Sequence, residues 1–203
     1  MNALVSTVMM ATLVVGPFYL SRALGLNDAL VGIVMSLGPA ISTLSGIPAG
    51  RIVDRLGAAF VVTVGLIEMV LGTVALSVLP LIFGLSGYMA AIVILTPGYQ
   101  LFQAANNTAV MMDVPSDQRG VISGMLSLSR NLGLITGASV LGAVFVLASK
   151  TADITKAHPR AVAAGMQTAF IVAAILAAVA LVISLGSRTL AARPSLKAFQ
   201  DET

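Results

Sequence analysis

The residues best suited to chemistry in this sequence are polar side chains inside long apolar segments. Gln100, Gln103 and Asn107 follow the spacing i, i+3, i+7, which places them on one face of a helix. Tyr99 and Asn106 lie beside that face. Such groups either line a cavity for a small molecule or form hydrogen bonds between neighbouring helices, and the sequence leaves both interpretations open.

Two charged residues also lie within apolar segments. Glu68 is the only acidic residue inside such a segment. A carboxyl group in hydrocarbon can exchange protons with a pathway or can serve as a structural hydrogen-bonding group, and we expect the structural role for Glu68. Arg130 stays charged at accessible pH, so it must pair with a carboxylate, bond to carbonyl oxygens or reach a water-filled cavity.

The composition indicates that a lipid bilayer surrounds these residues. Hydrophobic residues make up 58% and charged residues 9% of the 203 residues. This leaves too little polar surface for a water-soluble body of that size. Several uncharged segments have the length that a membrane crossing needs. They are 1–21, 29–50, 69–112, 131–149 and 161–187.

These segments predict an all-α integral membrane protein, a bundle of six helices. The segment 69–112 is long enough for two crossings, and the proline, glycine and serine residues at 80–87 mark a turn within it. We predict one six-helix domain at 1–190, followed by a short cytoplasmic tail at 191–203. The predicted spans are 3–21, 29–50, 58–79, 86–112, 119–148 and 162–187.

The four deepest polar residues are expected to lie in one layer. At about 1.5 Å of rise per residue, Glu68, Gln100, Gln103 and Arg130 lie roughly 14 to 18 Å from the ends of their spans. A hydrocarbon core is about 30 Å thick, so this layer is close to the membrane midplane.

Other kinds of site find little support in the sequence. It contains no cysteine and one histidine, which offers no disulfide, no thiolate chemistry and no spaced set of metal ligands. We expect no metal site and no cofactor. The basic residues are too scattered to favour nucleic-acid binding, and no group of His, Asp or Glu within the spans favours an enzyme.

The link between the second and third predicted spans carries a motif. The pattern Gly50-x-x-x-Asp54-Arg55-x-Gly57 resembles the conserved loop of the major facilitator superfamily, whose fuller form is Gly-x-x-x-Asp-Arg-x-Gly-Arg-Arg/Lys. Two alanines follow Gly57 where the amino-terminal copy of this loop usually has basic residues. The degenerate copy is typical of the carboxyl-terminal half of such proteins. Asp54 and Arg55 either pair with nearby helix ends or charges, or are simply solvated.

Two further segments are similar to that half in drug/proton antiporters of the superfamily. The stretch 113–137, with Arg130-Asn131-Leu132-Gly133 at its centre, resembles their fourth-to-fifth loop and fifth helix. The stretch 17–50 resembles their first two helices. The fifth helix lacks the Gly-Pro-x-x-Gly-Gly signature that the corresponding helix of the first half carries in many proton-driven exporters.

The resemblance implies half of a secondary transporter, built from two three-helix units of inverted topology. Its expected partners are the lipid bilayer, a small amphipathic or drug-like substrate exported in exchange for protons, and a second six-helix half. The setting of Arg130 favours a structural or gating role over direct contact with the substrate. A non-transporting membrane assembly protein, or an inactive truncated remnant of a transporter, remains the alternative.

The distribution of basic residues favours cytoplasmic termini in a plasma or inner membrane. If the link 51–57 is cytoplasmic, the basic residues inside are at 51, 55, 119, 188, 193 and 197, and those outside are at 22, 150, 156 and 160.

Small residues recur at a spacing that lets helices approach closely. These pairs lie in the second and fifth spans, where the resemblance places the contact with the missing bundle. They are Gly46 and Gly50, Gly120 and Gly124, and Gly133 and Gly137.

Overall fold

The computed structural model describes residues 1–112, 114–150 and 157–191. This part of the chain is helical and contains no strand, which confirms the all-α class. Its five helices are each long and apolar enough to cross a membrane. They are α1 Asn2–Phe18, continued by a π-helical turn Tyr19–Ala23, then α2 Asp28–Leu56, α3 Ala58–Met111, α4 Arg119–Ala148 and α5 Pro159–Ala191.

The predicted count of six helices is not confirmed, because the predicted spans 58–79 and 86–112 both fall within α3. Only Gly84 leaves the helical region inside α3, with φ 58° and ψ −127°. Glycine adopts positive φ at little cost, so a single residue makes the turn and no loop separates the two predicted spans. It divides α3 into a first limb, 58–83, and a second limb, 85–111.

The chain folds back at this glycine, and the two limbs lie antiparallel. A Cβ atom on Gly72 would lie 2.6 Å from the Cα atom of Leu95. A Cβ atom on Gly65 would lie 2.7 Å from the backbone nitrogen of Phe102. As the residue numbers of the glycines increase along the first limb, those of their partners on the second limb decrease, which is the pattern of antiparallel helices. Glycine at these contacts lets the two backbones touch.

The core forms between α1, α3, α4 and α5. Helix α1 packs chiefly against α4 and α5, while α3 packs against α2 and α5. Apolar side chains with almost no exposed surface come from all four of the core helices. They include Val5, Val8, Ala11, Leu66, Met69, Phe102, Leu141, Phe145, Met166 and Phe170.

Helix α2 lies at the side of this core and packs mainly on α3. Its buried residues are Val34, Ala49 and Val53, whereas Leu44 and Ile47 are 76% and 70% exposed. In a membrane, apolar faces of this kind contact lipid tails or another protein.

The connection between α2 and α3 is shorter than the sequence suggested. The predicted link 51–57 is helical through Leu56, so Gly57 alone joins the two helices. Gly57 has φ 83°, and its N–H donates to the carbonyl oxygen of Val53 at 2.9 Å. The start of α2 is capped by Asn27, whose side-chain oxygen accepts from the N–H of Leu30 at 2.9 Å.

Candidate functional site

An apolar cavity of about 330 Å³ opens between α1, α2, α4 and the second limb of α3. Its wall is made mainly of aliphatic, methionine and tyrosine side chains. The lining residues include Met9, Met35, Ser42, Tyr88 and Tyr99. A lining with so few polar groups suits the hydrocarbon or ring portion of a small molecule.

Tyr88 is the most buried polar side chain on this wall, with 1% of its surface exposed. Its hydroxyl donates to the sulfur of Met35 at 3.7 Å. A thioether is a weak acceptor, so a bound molecule with a carbonyl or ring nitrogen offers this hydroxyl a stronger partner. The ring of Tyr88 also stacks on Tyr19, with the centroids 6.1 Å apart.

A second, polar cavity of about 170 Å³ lies between the start of α1, the end of α3 and the first half of α4. It brings together three of the residues that the sequence singled out: Gln103, Asn107 and Arg130. Its remaining lining residues are Asn2, Met111, Ser123, Leu126 and Ser127.

Tyr99 and Gln103 connect the two cavities. Tyr99 lines the apolar cavity, and Gln103, one helical turn later, lines the polar one. The side-chain nitrogen of Gln103 donates to the hydroxyl oxygen of Tyr99 at 3.1 Å. The side-chain oxygen of Gln103 is buried without a hydrogen-bond partner, as is that of Asn2. The bond between Gln103 and Tyr99 therefore lies on the boundary between the two cavities.

Gln100 has a different environment from Gln103, although the sequence grouped the two. Its side-chain nitrogen contacts the hydroxyl oxygen of Ser42 on α2 and lies 3.3 Å from the carbonyl oxygen of the same residue. Gln100 lines neither cavity. It holds α2 against α3, which is the interhelical use of an amide that the sequence had left open.

Glu68 also lies outside both cavities. It is half-buried on the first limb of α3, and its stem packs against the second limb. A Cβ atom on Gly98 would lie 2.9 Å from the Cβ atom of Glu68. Glycine at 98 therefore makes the room that this side chain occupies between the limbs.

Arg130 reaches the polar cavity from α4. It is exposed on the surface of the described chain and forms no ion pair with a carboxylate in the part that the structure describes. An arginine at this depth of a membrane requires an anion, carbonyl oxygens or water around it. The polar cavity provides room for one of these.

The family model of the Major Facilitator Superfamily matches residues 1–138, more than half of the chain. The chain belongs to the major facilitator superfamily. This confirms the resemblance inferred from the loop motif.

Two curated relatives of this major facilitator chain are transporters. It is 29% identical over 125 residues to the uncharacterized transporter YebQ of Escherichia coli (strain K12). The aligned region covers 62% of this chain and 27% of that protein. It is 26% identical over 169 residues to the riboflavin transporter RibZ of Clostridioides difficile (strain 630). The aligned region covers 83% of this chain and 37% of that protein. The chain thus spans well under half the length of these relatives.

The superfamily loop motif lies at the end of α2. Gly50 has no atom within 4 Å of the position of a Cβ atom. Asp54 and Arg55 are exposed, and neither forms an ion pair in the described part of the chain. Gly57 is the residue whose positive φ requires glycine. Within this chain the motif ends a helix and makes a one-residue turn.

The glycine pairs differ in their surroundings. A Cβ atom on Gly137 would lie 2.6 Å from the carbonyl oxygen of Thr7, and one on Gly133 would overlap the carbonyl oxygen of Ala3. The backbone of α1 in the same chain therefore packs directly against these two glycines. In the other pairs, no neighbouring atom of the residues that the structure describes lies within 4 Å of a Cβ position: Gly46, Gly50, Gly120 and Gly124.

Sequence reasoning missed Tyr88, Met35 and Ser42 in the apolar cavity. A signal for Tyr88 was present, because Tyr88 and Tyr99 are eleven residues apart, which is three helical turns on one face. Met35 and Ser42 gave no such signal, because aliphatic and small polar residues are common on every face of α2.

Proposed function

We propose that this chain is one half of a secondary active transporter that exports small amphipathic compounds in exchange for protons. The observation that carries the proposal is the pair of cavities on either side of Tyr99, one apolar and one polar. A compound with an apolar body and a polar group fits both at once. Membership of a transporter family and two curated transporter relatives support the same function.

The packing supports two inverted repeats of three segments each. The first is α1, α2 and the first limb of α3; the second is the second limb, α4 and α5. Helix α1 packs on α4, and α2 contacts the second limb through Ser42 and Gln100. A two-fold axis that exchanges the repeats converts one of these contacts into the other, as expected for a secondary transporter.

The proposed carrier includes a second six-helix half, and the chain corresponds to the carboxyl-terminal half. The degenerate loop motif after α2 supports this correspondence. The exposed apolar faces of α2 and α4, with Gly46, Gly50, Gly120 and Gly124 free of neighbours, give the second half a surface to approach closely.

We propose a cell-membrane location with both termini in the cytoplasm. The chain contains no cysteine, so single cysteines can be introduced by Ser86→Cys, next to the turn of α3, and by Thr203→Cys. An impermeant thiol reagent applied to intact cells should label position 86 and not position 203. The opposite labelling would show that the orientation is reversed.

Transport can be tested in liposomes with riboflavin, the compound in the name of the RibZ relative. Purified chain is reconstituted either as a monomer or with its second half co-purified from native membranes. Flux should require both bundles and an imposed pH gradient, because alternating access needs two bundles moving about a central site. Flux from a monomer would contradict the half-carrier, and flux that ignores the pH gradient would contradict proton exchange.

The variant Gln103→Leu links the flux to the two cavities. It removes the bond to Tyr99 and the amide between the two cavities, so flux per folded molecule should fall about tenfold or more. Thermal melting of the same preparation controls for folding. A variant that melts earlier but transports normally would show that Gln103 is structural, and absence of riboflavin flux from every preparation would count against this substrate.

A further inference from the structure

The polar cavity carries a charge that nothing in the described chain balances. Of the described residues that line the two cavities, Arg130 is the only charged one. Glu68, the one acidic residue inside a span, lies between the limbs of α3 and lines neither cavity. Because an arginine cannot lose its proton at accessible pH, the positive charge of Arg130 stays in this cavity and is available to an anion that enters it.

The neutral groups around Arg130 complete a site for an anion with a hydrogen-bonding neighbour. The hydroxyl groups of Ser123 and Ser127 and the amide of Asn107 line the same cavity and can donate hydrogen bonds. The amide oxygen of Asn107 can also accept from an N–H or O–H beside the anionic group. Donors around a fixed positive charge favour a carboxylate over a cation or a neutral group.

The polar cavity is next to the apolar cavity, on the other side of the pair Tyr99 and Gln103. Gln103 donates to the Tyr99 hydroxyl at 3.1 Å, and Tyr99 lines the apolar side. A molecule that spans the pair Tyr99 and Gln103 can place an anionic head beside Arg130 and an attached ring in the cavity of about 330 Å³, which is large enough for a two-ring system.

We propose that the substrate is an organic anion, with its carboxylate held by Arg130 in the polar cavity and its apolar ring in the cavity beyond Tyr99. The proposal rests on the proposed transport function and adds to it the charge of the cargo. The positive charge of Arg130 then makes this half of the carrier selective against lipophilic cations.

Three probes with the same ring separate charge from shape: 2-naphthoate, neutral 2-naphthamide and 2-naphthylmethylammonium. The chain has no tryptophan, so the naphthalene emission can be followed by fluorescence anisotropy without tryptophan background. With the full chain in phosphatidylcholine nanodiscs, naphthoate should bind at least about tenfold more tightly than the other two probes.

Substitutions of two arginines on α4 test which charge is responsible. Arg130→Gln should remove the preference for naphthoate over naphthamide, and an unchanged melting temperature would show that the chain remains folded. Arg130→Lys should retain part of the preference because it keeps the charge. Arg119→Gln, eleven residues earlier on the same helix, lowers the net charge equally and should leave the preference intact.

The other possible results of these binding experiments each contradict a different part of the proposal. Equal binding of the three probes, or a preference that survives Arg130→Gln, would overturn the anion site while leaving transport of riboflavin as a separate result. Loss of the preference in Arg119→Gln would show a general surface potential. Competition by phosphatidylglycerol added to the nanodiscs would show that a lipid phosphate occupies the site, which would overturn a soluble substrate anion.

Discussion

Two glycine pairs on α4 share the same four-residue spacing but lie in opposite surroundings. At Gly133 and Gly137 the backbone of α1 is so close that an added Cβ atom would collide with it. At Gly120 and Gly124, at one end of the same helix, no other part of the described chain lies within 4 Å of a Cβ position. The spacing shows where a helix can be approached closely, but not which helix approaches.

The difference separates two roles within one helix. The pair at 133 and 137 contributes to the folding of this chain, because it fixes α1 on α4. The pair at 120 and 124 meets no other helix among the described residues at its Cβ positions. Under the proposed function, the second half of the carrier packs there.

The largest effect is expected from Gly133→Leu. A leucine side chain at this contact must push α1 away from α4, and overpacking of this kind destabilises proteins by about 3 kcal/mol. The free energy of unfolding in detergent, measured by titration with a denaturant, should fall by that amount. Gly120→Leu is the matched control, and equal losses in both variants would remove the distinction between the pairs.

A smaller effect is expected from Thr7→Val at the same contact. The Thr7 hydroxyl donates to the carbonyl oxygen of Gly133 at 2.9 Å and to that of Ala3 at 2.9 Å. Valine keeps the shape of threonine and removes the interhelical bond, which contributes about 1 kcal/mol in membranes. Thr168→Val offers a control, because that hydroxyl bonds only within its own helix. If Thr7→Val is neutral, close backbone packing alone holds α1 on α4.

The smallest effect on stability is expected from Gly124→Leu, within about 0.5 kcal/mol of the original chain. Its consequence should appear in assembly, where leucine would prevent a close approach by the second half. Co-purification with that half, quantified by gel densitometry, should drop several-fold. Unchanged co-purification would show that the second half does not touch this end of α4.

Much of the fold could be predicted from the sequence, because uncharged runs of sufficient length are a strong signal in membrane proteins. The predicted span 119–148 coincides with α4. The predicted second span ends at 50, six residues before the end of α2 at Leu56, because a charged residue marks the end of an uncharged segment. A helix that has left the hydrocarbon can continue with charged side chains in water.

Less of the candidate site than of the fold could be predicted from the sequence. Gln100, Gln103 and Asn107 fit one helical stripe, yet Gln100 bonds to Ser42 and the other two line the polar cavity. A stripe is about 100° wide, so neighbours within it can meet different partners. The partner of Gln100 is 58 residues away in the sequence, and no local pattern identifies it.

The hairpin form of α3 also determines how the chain can enter the membrane. No charged residue lies between Glu68 and Asp113, so the reversal at Gly84 can cross the hydrocarbon without the cost of transferring a charge. The glycine contacts between the limbs form within a single continuous stretch of chain. The two limbs can therefore insert together during synthesis, already paired, and need no later search for each other within the bilayer.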